Sequence, residues 1–87
     1  MVYREIREEP KFREQLECIA ADHKRIDEVL RGIHYALSTD PSQFPVVSGT
    51  PFSFIKTDPY PDAPAIRILF TYTSERVDLV AIAFADD

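Results

Sequence analysis

The sequence predicts an α+β domain, with an N-terminal helical hairpin packed on one face of a three- or four-stranded antiparallel sheet. Two observations carry that prediction. The first half of the chain places apolar residues at helical spacing, and the second half alternates them at strand spacing. A third supports it: residues 1–31 hold more than half of the charged side chains, of both signs, as solvated helix faces do.

Taken in order, Val2, Arg4 and Ile6 alternate with Tyr3, Glu5 and Arg7, so residues 2–7 read as a short edge strand or as a helix lead-in. Pro10 suits a first helical position, and Glu8 and Glu9 favour the positive end of the helix dipole. Phe12, Leu16, Ile19 and Ala20 then form one buried stripe. Asp22 is the expected N-cap of a second helix, whose stripe is Ile26, Val29, Leu30, Ile33 and Leu37 and which Asp40-Pro41 ends. Pro45, Gly49 and Pro51 mark a loop. Phe52 to Lys56 alternates as a strand, and residues 58–64 form a proline-dense connection, long for a hairpin loop. Ala65 to Thr73 is the clearest strand, with Ile66, Ile68, Phe70 and Tyr72 on one face and Arg67, Leu69 and Thr71 on the other. After the Ser74-Glu75 turn, Val77 to Phe84 is expected to place Val80, Ile82 and Phe84 on one face and Val77, Leu79, Ala81 and Ala83 on the other.

Eighty-seven residues make one domain, 1–87. A chain this short buries only about 60% of its unfolded surface, so its core is marginal. Its one cysteine, Cys18, offers no intramolecular disulfide, and no Cys/His spacing suggests a metal. The net charge of −5 argues against a nucleic-acid surface. No apolar run reaches membrane-spanning length, and the charged start is unlike a signal peptide, so a cytoplasmic protein is expected. There is no Gly-rich phosphate loop, and no cofactor is expected.

The last strand is apolar on both faces, as in a strand covered on both sides. Two helices cover one face only. The second face, carrying Leu69, Leu79, Ala81 and Ile55, is therefore expected to be buried against a partner chain.

The order of elements resembles the RelE/ParE toxin superfamily of bacterial toxin–antitoxin systems. Leu37-Ser38-Thr39-Asp40-Pro41 is similar to the family's helix exit, Phe54-Ile55-Lys56 to a strand that often carries basic residues, and Arg67-Ile68-Leu69-Phe70 to its Arg-Val-Ile-Tyr strand. Val77-Asp78-Leu79-Val80-Ala81-Ile82 is similar to the strand that follows, which often closes on Ala-Ile-x-His-Arg. Here Phe84-Ala85 and then Asp86-Asp87 stand in place of that basic end. The resemblance implies a partner, either an antitoxin-like segment or a second copy in a homodimer. The departure implies that toxin activity is attenuated or lost. The alternative it leaves open is an active toxin, either a ribosome-dependent mRNA endonuclease or a gyrase inhibitor of the ParE kind.

The partner-binding candidates are thus Ile55, Arg67, Leu69, Leu79 and Ala81. Arg67, Lys56 and Tyr72 are the candidates for catalysis, and Arg67 leads because an arginine inside an apolar strand calls for a partner. If Lys56 and Arg67 share a face, they can hold a phosphate or a carboxylate. Tyr60 and Tyr72 read more readily as half-buried packing, Arg76 as a solvated sheet residue, and Cys18 as a buried, inert thiol. His23 and His34 have no co-ligand in register.

Overall fold

Helix formation follows the apolar stripes. A computed structural model describes residues 4–59 and 64–85. Strand β1 (Glu5–Glu8) leads into α1 (Pro10–Ala20), where Pro10 occupies the first turn and needs no backbone donor. Phe12 and Ile19 are buried, with Leu16 and Ala20 packed beside them, as their spacing predicts. Helix α2 (Ile26–Thr39) buries Ile26, Leu30, Ile33 and Leu37, with Val29 against the same cluster. Each such side chain contributes about 1.5–3 kcal/mol on full burial.

The start of α2 differs from expectation. Arg25, not Asp22, stands at its N-terminal boundary, and no side chain caps it. The backbone N–H of Ile26 instead bonds the carbonyl of His23 (3.2 Å), so 22–25 form a turn that delivers Ile26 into the core. Asp27 and Glu28 in the first turn complement the dipole in place of a cap. At the other end, Asp40 donates its N–H to Ala36 O (2.9 Å), and Pro41 opens a short 3₁₀ turn over Pro41–Gln43.

The sheet contains β2 (Ser53–Lys56), β3 (Ile66–Tyr72) and β4 (Arg76–Phe84) in the order β1-β4-β3-β2. β2, β3 and β4 form the expected antiparallel meander, but β1 pairs with β4 in parallel, Ile6 opposite Val77 and Glu8 opposite Leu79. The sheet is therefore mixed, not antiparallel. The route of the chain between the two strands is long enough for the crossover a parallel pair requires. Of the open choice for residues 2–7, Glu5–Glu8 is strand, while residues 2 and 3 lie outside the described residues.

A second difference lies in β4. Leu69 pairs with Ala81 and Phe70 with Leu79, so Val80 is an extra residue, a β-bulge. The bulge reverses the alternation halfway along the strand. Val77, Leu79 and Ile82 all face the helices and are fully or almost fully buried, together with Ile66, Ile68 and Phe70 of β3 and Ile55 of β2. α1 lies over β4. Phe84 is about half exposed and meets the His23 ring edge-on at 5.7 Å.

The segment after Gln43 closes against the sheet. Phe44 packs edge-on to Phe70 (6.1 Å), Val46 bridges Ser53, and Val47 N–H bonds Phe52 O (2.8 Å). The tip includes Gly49 at φ +77°, a left-handed conformation that glycine adopts without a steric cost. This hairpin-like return places Val47 beside Phe54. Among the described residues, no helix is long and apolar enough to cross a membrane.

Candidate functional site

Register decides which residues share the face opposite the helices. Across β2 and β3, Phe54 opposes Leu69 and Lys56 opposes Arg67. Across β3 and β4, Leu69 opposes Ala81, Arg67 opposes Ala83 and Thr71 opposes Asp78. β1 adds Arg7 opposite Asp78 and Glu5 opposite Arg76. These residues are exposed or half-buried, whereas their neighbours along β3 (Ile66, Ile68 and Phe70) are buried under the helices.

The face divides into two zones. On the β1 side its arginines are neutralised within the sheet: Arg76 Nε lies 3.2 Å from Asp78 Oδ2, and Arg7 Nε lies 3.6 Å from Glu5 Oε1. On the β2 side, Val47, Phe54, Leu69 and Arg67 line a shallow depression of about 400 Å³. The Arg67 guanidinium carbon sits 5.9 Å from the Phe54 ring centroid, within cation–π range. Arg67 has no carboxylate partner among the described residues. Its cross-strand neighbour is a second basic residue, Lys56.

The expected site residues therefore separate. Arg67 and Leu69 come together, Ala81 lies next to Leu69 across the strand pair, and Lys56 does share the face with Arg67. Leu79 and Ile55 do not belong there. Leu79 is 0% and Ile55 7% exposed, both inside the core: the bulge at Val80 turns Leu79 inward, and Ile55 pairs with the inward-facing Ile68. Tyr72 stands on the opposite face from Arg67 and Lys56, its ring 6.2 Å from that of Phe70, so the three catalytic candidates do not converge. Val47 and Phe54 are the members that sequence reasoning missed. Phe54 carried a signal, since it alternates in phase with Lys56. Val47 carried none, because only the return of the 45–53 segment brings it near.

The other candidates, where described, lie apart from this face. Cys18 is exposed, not buried as expected, because it sits on the solvent side of α1 away from Phe12 and Ile19. Tyr60 lies outside the described residues, as do residues 60–63 of the proline-dense connection and Asp86-Asp87. His34 Nε2 is shielded from solvent without a hydrogen-bond partner, 3.9 Å from Glu8 Oε2, while Glu8 Oε1 lies 3.9 Å from Arg13 Nε. Among the described residues, no three His, Cys, Asp or Glu side chains gather to hold a metal ion.

A second cleft, of about 330 Å³, opens on the helix side between α2 and β2, walled by Val29, Ile33, Ala36 and Phe44 with Ile55 beneath. The chain matches no protein-family model and no curated protein. What remains is the geometry. The depression has an apolar floor of Val47, Phe54 and Leu69 and a cationic wall of Arg67.

Proposed function

We propose that this chain is a RelE/ParE-like domain that works by protein–protein contact, with toxin activity attenuated or lost. The observation that carries the reading is the helix-free sheet face, where an apolar depression adjoins an arginine lacking a carboxylate partner among the described residues. Contiguous apolar surface rimmed by polar groups is the usual mark of an interaction site. The β-α-α-β-β-β order supports the family resemblance. Loss of chemistry is supported by the separation of Tyr72 from Arg67 and Lys56, by the neutralisation of Arg7 and Arg76, and by Phe84-Ala85 standing where the family often has His-Arg.

The second reading, an active toxin, is favoured by the shared face of Arg67 and Lys56, two cations able to hold a phosphate. Induced expression in a bacterial host separates the two. The contact reading expects unimpaired growth. Growth arrest that Arg67→Ala relieves would overturn it in favour of the toxin.

A further inference from the structure

We propose that the Val47–Phe54–Leu69 depression, with Arg67 at its rim, binds an acidic peptide segment of another protein, seating one apolar side chain and clamping a neighbouring carboxylate. This rests on the contact reading above and deepens it by naming the chemistry of the partner.

Three features select that occupant. The floor is apolar, formed by Val47, Phe54 and Leu69, and so suits an apolar side chain. Arg67 lies within cation–π range of the Phe54 ring, and no carboxylate among the described residues takes up its guanidinium N–H groups, whose fork suits bidentate contact with a carboxylate. The charge is also out of character for the molecule. In a chain of net charge −5, Arg67 stands at this depression without a carboxylate partner among the described residues, while the other arginines of the same face, Arg7 and Arg76, are each paired internally. A second copy is a poor occupant. In a twofold dimer with its axis through the depression, Arg67 would meet the Arg67 of the second copy. An acidic partner brings the opposite sign, and its apolar side chain removes Phe54 and Leu69 from water.

Fluorescence anisotropy with labelled pentapeptides tests this on the intact chain. The probes are Glu-Leu-Glu-Leu-Glu, its Gln and Lys counterparts, and a single-stranded oligoribonucleotide. The acidic peptide should bind, and Arg67→Ala should weaken it about tenfold, as loss of a charge-assisted contact does. Leu69→Ser should weaken it too, whereas Arg76→Ala, which removes a cation already paired with Asp78, should leave it unchanged. Circular dichroism of each variant establishes that it is folded. Equal binding of the Gln or Lys peptide, indifference to Arg67→Ala, preference for the oligoribonucleotide, or no peptide binding up to about 1 mM would each overturn the proposal. The contact reading is judged separately, by light scattering of the wild type against Leu69→Lys. Self-association that Leu69→Lys abolishes would keep the contact reading and replace the peptide with a second copy.

Discussion

Leu69 and Leu79 look equivalent in the sequence, since each is the apolar residue at an odd position of an alternating strand. In the structure they part company: Leu79 is completely buried beneath the helices, and Leu69 is half-buried on the opposite face. Their energetics should part as well. Leu79→Ala leaves a cavity among Val77, Phe70 and their neighbours and should cost about 2–5 kcal/mol. Leu69→Ala removes a side chain already touching water and should cost under about 1 kcal/mol, as substitutions away from the core commonly do. Urea unfolding of the two variants measures the difference. Equal losses would mean that the two leucines do not occupy different faces. Arg67 shows the reverse relation between sequence and structure. Its placement inside an apolar strand was legible, and it does lie exposed on the helix-free face.

At the scale of elements, the helices were the most legible part. Their stripes obey a local period that a short window of sequence contains, and Phe12, Ile19, Ile26, Leu30, Ile33 and Leu37 are buried accordingly. The boundary at Arg25 was not legible, because Asp22 has the chemistry of a cap and the competing demand, the burial of Ile26, is tertiary. The bulge in β4 left no mark either. Val80 is an ordinary strand former, and only its pairing with β3 shows that it is supernumerary. Deletions expose its role. Removing Val80 leaves Leu79 inward and Ala81 outward on a regular ladder, so the chain should stay folded with a urea midpoint near that of the wild type. Removing Asp78 puts Val77 and Leu79 on opposite faces, exposing one of two fully buried residues, and should destabilise by the cost of a lost core side chain, about 2–5 kcal/mol. A Val80 deletion as damaging as the Asp78 deletion would contradict the bulge.

For the molecule as a whole, the decisive element is one of the shortest. β1 has four residues, yet it places Ile6 against Val77 and joins distant parts of the chain. The Arg4 N–H bonds Ser38 O (3.0 Å) at the end of α2, and the Arg4 side chain reaches Thr73 O (2.9 Å) at the β3–β4 turn. Glu5 N–H bonds Glu75 O in the same turn (3.0 Å). In a domain with so small a core, such ties carry more weight than their number suggests. A chain beginning at Glu9 should lose its cooperative thermal transition, followed by circular dichroism. Retention of a sharp transition would show β1 to be an accessory strand. This dependence could not be read beforehand, because parallel pairing between strands so far apart is a property of topology and not of any local pattern.

The same strand has a consequence for the order of events during synthesis. β1 leaves the ribosome before both helices and two further strands, while the strand it pairs with, β4, follows all of these. Until β4 emerges, β1 has no ladder, and α1 and α2 have only part of the surface they cover. Helices as short as these are marginal without tertiary support. The nascent chain thus carries an unpaired strand and two half-supported helices until β4 emerges. Folding in one late step, once β4 is available, is the route that this connectivity leaves open, and the non-local closure it requires is the slow kind.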